Sequence, residues 1–269
     1  MEDILLIDKP VGITSFDVIR ILRRKFLQDE LSVRTGFLDG VQGASGAGEE
    51  DVSKQNTARE DVREATQKSA KRRVRMGHAG TLDPLASGLM IIGVGSGTKR
   101  LKDYIKLDKE YIAEILVGER RTTGDMDGLV TEEEDVVQLG EEEVRKTLAE
   151  MVGTLTLPVS AYSAIKKDGV PMYKRARKLE REGKEVEDVP VRDMEVQEVE
   201  LLGIKNVTVN RNKNKRVVVT VRFFVGSGTY IRSLAEEFGK RMGYPATLKS
   251  LRRTRVGEFC IEDAEPLEV

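Results

Sequence analysis

The chain has no tryptophan, a single cysteine, Cys260, and a single histidine, His78, among its 269 residues. One cysteine cannot form an intramolecular disulfide or supply a zinc cluster, and one imidazole leaves few nitrogen ligands for a transition metal. We therefore expect chemistry that needs no metal.

Long apolar runs are also lacking. The longest, such as residues 89–94, fall far short of the ~18 residues that a membrane-spanning helix needs. The chain opens with Met1, Glu2 and Asp3 rather than with the basic head of a signal peptide. We expect a cytoplasmic monomer without a membrane partner.

The chain has little net charge, which is −1 at neutral pH with a pI near 6.1. This balance argues weakly against a nucleic-acid partner, because Lys and Arg supply most non-specific affinity for phosphates. The charges are segregated, however. Acidic residues concentrate at 132–135 and 141–143, whereas residues 240–255 carry six basic residues and no acidic one. The basic run is either a nucleic-acid-binding face or an ordinary solvated surface.

Hydrophobic periodicity predicts a mixed α/β (α+β) protein with long strands and short helices. The strands are expected at residues 4–7, 89–94, 111–117 and 217–225. The helices are expected to begin at Ser15, acting as N-cap, and to cover 141–152, 172–182 and 230–242.

One stretch departs from this regularity. Residues 29–70 contain five glycines followed by a polar run whose few apolar residues keep no sustained period. We interpret the chain, residues 1–269, as one domain interrupted by an insertion at about 29–70, flexible or weakly helical in its second half.

The segment 77–88 concentrates polar chemistry before a predicted strand, and we expect it to be a loop. Asp83 precedes Pro84, which restricts the aspartate to extended backbone geometry and could hold its carboxylate at a fixed angle. Spacing alone leaves two readings open, a functional carboxylate or an ordinary turn aspartate.

Two other segments suggest rival functions. Residues 93–97 (GVGSG) superficially match a dinucleotide loop, but the full glycine spacing and a surrounding βαβ unit are missing. Asp125 and Asp127 could suggest a metal-dependent hydrolase, yet the further ligands of a calcium loop are absent at the required offsets. A hairpin turn between two strands is the preferred interpretation there.

Several blocks together resemble one family. Residues 77–89 (GHAGTLDPLASGL) are similar to the signature of bacterial T-loop pseudouridine synthases, the TruB family. Further blocks resemble the same family in the same order: 8–15 (DKPVGITS), 109–111 (KEY), 122–128 (TTGDMDG), 162–166 (YSAIK), 228–234 (GTYIRSL) and 251–253 (LRR). The resemblance covers nearly the whole chain outside the insertion.

This resemblance implies the pseudouridine synthase fold, a mixed, mainly antiparallel curved sheet with peripheral helices. It implies isomerisation of the uridine at position 55 in the T-loop of tRNA, without a cofactor, after the base is flipped out. Asp83 would be the catalytic carboxylate, as nucleophile or as the group that assists elimination. Because burial disfavours a charged carboxylate, a nearby cation is expected, and the resemblance points to Arg232.

The remaining candidate residues also come from the resemblance. Tyr111 would stack on the flipped uracil and relay the C5 proton, with Tyr230 and Leu251 as further walls of the base pocket. His78 would fill the gap that the extruded uridine leaves. Lys9 and the basic helix near 20–25 would meet RNA phosphates, and Lys166 lies in a segment, 160–181, expected to close over the T-arm. Without the resemblance, each of these residues could equally be an ordinary core or surface residue.

Three departures from the family pattern are visible. They are the insertion, Val159 and Ser160 in place of a usual proline pair, and an end of the chain that leaves no room for the small C-terminal RNA-binding (PUA) domain of many relatives. The alternatives are pseudouridylation of another T-loop-like RNA hairpin, including a guide-directed target, and a non-catalytic tRNA-binding or chaperone protein.

Overall fold

A computed structural model of the protein describes residues 3–39, 74–163, 165–182, 189–209 and 214–268. Its helices are α1 (Ser15–Asp39), α2 (Leu101–Tyr104), α3 (Glu141–Ala149), α4 (Met172–Arg181) and α5 (Ile231–Met242). Its strands are β1 (Ile4–Lys9), β2 (Met76–Ala79), β3 (Ala86–Val94), β4 (Lys109–Val117), β5 (Glu119–Arg121), β6 (Val130–Glu133), β7 (Gly153–Pro158), β8 (Lys166–Lys167), β9 (Val170–Pro171), β10 (Val191–Val209), β11 (Asn214–Val225), β12 (Ala246–Val256), β13 (Phe259–Cys260) and β14 (Glu265–Pro266).

Ten of these strands form one sheet in the order β14-β1-β3-β12-β4-β11-β10-β7, with β13 beside β12 and β2 beside β3. All pairs in it are antiparallel except β1 with β14 and β3 with β12. Two small hairpins, β5–β6 and β8–β9, stand outside this sheet. The predicted fold class, a mixed and mainly antiparallel sheet with peripheral helices, is confirmed.

The core forms where apolar faces of the central strands meet the helices. Strand β11 buries Val217, Val219, Val221 and Phe223, as its alternation predicts, and β4 buries every second residue at its start. Helix α5 contributes Leu234 and Phe238 to the same core, each with no exposed surface. Every predicted strand and helix is present, with ends that shift by a few residues.

The first helix differs most from its prediction. Helix α1 continues to Asp39 and so enters the stretch interpreted as an insertion. No proline interrupts residues 16–39, so nothing in the backbone chemistry stops the helix where the apolar period fades. Residues 40–73, which hold the rest of the predicted insertion, lie outside the described residues.

The predicted N-cap of α1 is wrong by one residue, because Thr14 and not Ser15 caps the helix. Asp17 N donates to Thr14 Oγ1 at 3.1 Å, and Thr14 N donates to Asp17 Oδ2 at 2.9 Å. This reciprocal pattern is a capping box, which satisfies free amide groups at a helix start. The one-residue shift leaves the Ser15 hydroxyl available for another contact.

Helices long and apolar enough to span a membrane are absent from the part of the chain that the structure describes.

Candidate active site

The Asp83 loop begins later than predicted. Residues 76–79 belong to β2 and pair with the end of β3, so His78 sits in a strand opposite Ile92. The loop then turns at Asp83, where Ala86 N donates to Asp83 O at 3.1 Å. Pro84 takes the second position of this turn, which suits its fixed φ.

Two contacts from the start of α1 hold this loop. The Ser15 hydroxyl accepts from Leu82 N at 2.8 Å and donates to Leu82 O at 3.0 Å. Gly12 N donates to Pro84 O at 2.8 Å. Because Ser15 is 3% exposed, water competes little for these bonds. The backbone on both sides of Asp83 is therefore anchored, a role that sequence reasoning missed for Ser15.

The structure brings Asp83 and Arg232 together. Arg232 Nη2 lies 3.0 Å from Asp83 Oδ2, and the arginine side chain is 5% exposed while the aspartate side chain is 39% exposed. The carboxylate thus opens to solvent on one side while the guanidinium lies beneath it. The carboxylate is therefore partly exposed, and its charge partner is a buried guanidinium.

Arg232 lies in the first turn of α5, where the helix dipole opposes a cation. Carbonyl and hydroxyl oxygens offset this cost. Arg232 Nη1 donates to Thr123 O at 3.0 Å and to Ser160 Oγ at 2.8 Å, and Nη2 donates to Tyr162 O at 3.3 Å. Ser160 is thus a direct hydrogen-bond partner of the guanidinium.

A second carboxylate completes this network. Asp125 Oδ2 lies 3.6 Å from Arg232 Nη1, and Asp125 is 4% exposed. Its other oxygen accepts from Thr123 Oγ1 at 2.5 Å and from Asp127 N at 3.2 Å. The segment 122–128 is indeed a hairpin turn between β5 and β6. Among the described residues no group of three His, Cys, Asp or Glu side chains is placed to hold a metal ion.

Burial raises the pKa of the Asp83 carboxyl above its ordinary value. Arg232 is the largest influence in the opposite direction, Asp125 adds to the increase, and Lys9 opposes it. The pKa of Asp83 therefore reflects opposing influences: desolvation and the Asp125 carboxylate raise it, and Arg232 and Lys9 lower it.

The predicted base-pocket residues come from three different elements. Tyr111 in β4 is 6% exposed and packs within the main core. Leu251 in β12 pairs with Ala86 on one side and Ala113 on the other, so it lies between the strand after Asp83 and the strand of Tyr111.

Tyr230 immediately precedes α5, and burial raises the pKa of its phenol. Arg232 and Asp83 are the next influences on that pKa, with opposite signs. Tyr230 therefore lies within electrostatic range of both residues.

Lys9 does not meet RNA phosphates as predicted, because it has no exposed surface. Its Nζ donates to Pro10 O at 2.9 Å and to Ile13 O at 2.8 Å. Burial lowers the pKa of Lys9 to about 8, with Asp83 opposing the shift. Lys9 thus stabilises the turn that carries Gly12, and its positive charge lowers the pKa of Asp83.

Sequence reasoning also missed a buried cation, Arg253, which has no exposed surface. Its Nε donates to Leu89 O at 2.7 Å, and Nη2 donates to Gly80 O at 3.2 Å. Lys109 is its buried neighbour, and burial lowers the pKa of that lysine to about 8. Arg253 thus stabilises the backbone on both sides of the Asp83 loop, whereas Lys109 Nζ donates to Ile105 O at 3.0 Å and to Leu107 O.

The basic run at 240–255 is therefore not one free cationic face. Four of its six members pair with acidic residues outside the run, namely Arg241 with Glu237 in the same helix, Lys249 with Glu114, Arg252 with Asp8 and Arg255 with Glu110. These acidic partners lie in β1, β4 and α5 rather than in the acidic runs at 132–135 and 141–143.

His78 and Lys166 lie apart from the Asp83–Arg232 pair in the contacts of the described residues. His78 is half-buried, its Nδ1 has no hydrogen-bond partner among those residues, and burial lowers its pKa. Lys166 is exposed in β8.

Comparisons with known proteins show the family to which the sequence belongs. A family model described as TruB family pseudouridylate synthase, N-terminal domain, matches residues 65–231. The chain belongs to the TruB family. The matched segment contains Asp83 and ends one residue before Arg232.

Relatives of this family are similar in sequence over most of the chain. The tRNA pseudouridine synthase B of Corynebacterium efficiens is 33% identical over 98% of this chain and 70% of its own length. The enzyme of the same name from Fusobacterium nucleatum is 34% identical over 97% of this chain and 70% of its own. That of Burkholderia mallei is 39% identical over 72% of this chain and 59% of its own.

Solved structures share the fold of this TruB-family chain. A chain of a Cbf5-Nop10-Gar1 complex aligns with a TM-score of 0.56 at 19% identity, over 98% of this chain and 52% of its own. A chain of an H/ACA RNP bound to a substrate RNA containing 2'-deoxyuridine aligns with a TM-score of 0.56 at 20% identity. The present chain spans about half the length of these solved chains.

Proposed function

We propose that this chain isomerises uridine to pseudouridine in the T-loop of tRNA, at position 55, after flipping the base out of the loop. The observation that carries the proposal is the 3.0 Å contact between the partly exposed Asp83 carboxylate and the buried Arg232 guanidinium. The names of the curated relatives support tRNA as the substrate class. We further propose that the enzyme acts in the cytoplasm as a monomer, without a metal or cofactor.

The reaction needs no co-reactant because pseudouridine is an isomer of uridine. The bond between N1 and C1′ breaks, the base turns, a bond forms between C5 and C1′, C5 loses its proton and N1 gains one. Two routes are open to Asp83. Its carboxylate attacks C1′ to form a covalent intermediate and leaves again when C5 attacks C1′, or it takes a proton from the sugar as the base departs and returns that proton when the new bond forms. Both require an ionised carboxylate, which Arg232 favours.

The other residues take supporting roles in the proposal. Tyr111 stacks on the flipped uracil and relays the C5 proton, while Tyr230 and Leu251 complete the pocket for the base. His78 occupies the space that the base leaves, and Lys166 contacts the T-arm. Lys9 acts through the turn before α1 rather than through RNA phosphates, since it is fully buried.

Replacing Asp83 by Asn tests the proposal. The variant keeps the shape of the side chain and removes its charge, so it should bind tRNA as the parent does while forming no pseudouridine, measured by chemical mapping of position 55. Asp263→Asn, at an exposed aspartate, serves as the matched control and should retain full activity.

The outcomes separate the alternatives. If Asp83→Asn still forms pseudouridine, the proposed chemistry is wrong. If the parent itself modifies no tRNA but binds it, the chain is a binding or chaperone protein. If it modifies another hairpin in preference to the T-loop, the substrate assignment is wrong and the reaction stands.

A further inference from the structure

The start of α1 exposes an aromatic side chain beside the candidate active site. Phe16 is 60% exposed, and Val11, just before the helix, is 62% exposed. Phe16 is the one aromatic residue among the exposed large hydrophobic side chains of the described chain. Single exposed aliphatic residues are common on protein surfaces, whereas an exposed phenylalanine loses more by contact with water.

Phe16 is held close to Asp83 by its neighbours. Ser15, the preceding residue, bonds to both backbone groups of Leu82, and Leu82 precedes Asp83. Gly12 bonds to Pro84, the residue after Asp83. An RNA strand that delivers a nucleotide to Asp83 must therefore carry an adjacent nucleotide past this end of α1.

The exposed face of α1 continues from Phe16 through two cations. Arg20 and Arg24 follow at intervals of four residues, so they are rotated by about 40° and 80° from Phe16 and rise by about 6 Å each. Both are exposed, Arg20 with 66% of its side chain accessible beside Asp17. The buried residues Val18, Ile19 and Leu22 occupy the opposite side of the helix. We call Phe16, Arg20 and Arg24 the α1 stripe.

We propose that the α1 stripe binds the RNA strand next to the target uridine. The ring of Phe16 stacks on an unpaired base, and the guanidiniums of Arg20 and Arg24 contact phosphates beyond it. An aromatic platform followed by cations suits single-stranded RNA, because every base has a face that can stack and every nucleotide carries a phosphate. The inference rests on the proposed function, since RNA is taken to enter at Asp83.

A fluorescence experiment tests the stacking. The chain contains no tryptophan, so Phe16→Trp introduces a single reporter. A T-arm RNA hairpin at saturating concentration, established by filter binding, should quench and shift its emission. Val137→Trp is the matched control, because Val137 is 63% exposed before α3 and its emission should not respond. Unchanged emission of Phe16→Trp in the saturated complex would overturn the stacking.

Kinetics test the contribution of the ring. Phe16→Ala should raise KM for the hairpin by about 5- to 160-fold, the range of a lost base–aromatic stack, and should leave kcat unchanged. Phe16→Tyr should restore KM to the parent value because it keeps the aromatic face. A fall in kcat with KM unchanged would instead mean that Phe16 only supports the Asp83 loop, and it would overturn the proposal.

Salt dependence tests the two arginines. Each lost phosphate contact should reduce the slope of log affinity against log salt by about 0.7 to 0.9. We expect this reduction for Arg20→Gln and for Arg24→Gln. Lys25→Gln removes the same charge one position away, but Lys25 is rotated by about 180° from Phe16. Its Nζ reaches Glu268 at 2.9 Å. Equal slopes for Arg24→Gln and Lys25→Gln would overturn the phosphate contacts.

The two proposals fail in different ways. If the parent forms no pseudouridine in any RNA hairpin, the proposed function fails. If the parent forms pseudouridine while the Phe16 and Arg24 variants match it in KM and salt slope, the α1 stripe alone is wrong.

Discussion

At the scale of single residues, the site depends on one guanidinium shared by two carboxylates. Arg232 lies 3.0 Å from Asp83 and 3.6 Å from Asp125, and its hydrogen bonds to Thr123 and Ser160 go to neutral oxygens. A buried cation that lost one carboxylate would keep the other, so the arrangement tolerates a change of charge at Asp83 during a reaction. Asp125 thereby acts as a positioning residue for the Asp83–Arg232 pair.

This shared arrangement predicts a pH effect. Burial raises the pKa of Asp83, so the activity of the parent should fall on acidification at a pH above the ordinary aspartate value of about 4. Asp125 adds to that increase. Asp125→Asn removes the repulsion, lowers the pKa of Asp83, and should move the acid limb of kcat/KM to lower pH.

The measurement is a pH profile of kcat/KM for both proteins with one RNA substrate. Arg232 has the opposite influence on this pKa, so a variant in which Arg232 was displaced would move the limb to higher pH. A limb that moved to higher pH in Asp125→Asn would contradict the assigned electrostatics.

At the scale of elements, the junction between β3 and β12 positions the site. Gly88 in β3 pairs with Arg253 in β12 and with Lys9 in β1, five residues after Asp83. It has φ +111°, and a Cβ there would lie 2.2 Å from Arg253 O and 2.6 Å from Arg253 N. This close approach lets the buried Arg253 reach the carbonyls that surround the loop.

Gly88→Ala should therefore destabilise the protein through both backbone strain and collision with the backbone of β12. We expect the free energy of unfolding to fall by about 3 kcal/mol or more, measured by urea denaturation. Gly153→Ala is the matched control, because Gly153 has φ +115° and an added methyl group would meet nothing within 4 Å. It should cost only the strain, about 1 to 2 kcal/mol. Equal losses would show that the close approach to Arg253 does not matter.

At the scale of the whole molecule, the sheet joins distant parts of the chain. Strand β1 pairs with β14, Leu267 N donates to Asp8 O at 3.4 Å, and Lys25 pairs with Glu268 at 2.9 Å. The turn at Asp83 is hydrogen-bonded to Gly12, which follows β1, and to Ser15 in α1. Because β14 pairs with β1, the last strand supports the site indirectly.

Removing residues 265–269 should therefore lower the free energy of unfolding by roughly 1 to 3 kcal/mol, since it uncovers the edge of β1 and removes the partly buried Leu267. Urea titrations followed by circular dichroism would measure this. Glu268→Gln alone removes an exposed ion pair and should leave the stability nearly unchanged. A truncated protein as stable as the parent would show that β14 contributes nothing to the sheet.

Local patterns in the sequence were sufficient for much of this description. Strands β3, β4 and β11 and helices α3, α4 and α5 lie close to where periodicity predicted them, because alternation and helical spacing are properties of neighbouring residues. The signature around Asp83 was likewise recognisable from consecutive residues alone, and the chain belongs to the family that this signature indicated.

Other features depended on contacts between segments far apart in the chain. A sequence pattern assigned Ser15 to a helix cap and the family resemblance assigned Lys9 to a phosphate, whereas the fold turns Ser15 toward Leu82 and encloses Lys9. Likewise, no pattern in the sequence indicated that Arg253 in the basic run is buried. It is buried because β12 lies between β3 and β4 in the sheet. Burial and ion pairing are decided by which strands become neighbours, and that is a property of the assembled sheet. The sequence by itself thus determines the order and the chemistry of the helices and strands. The tertiary structure decides the partners of Asp83, because residues 83, 125, 160 and 232 come together only in the folded chain.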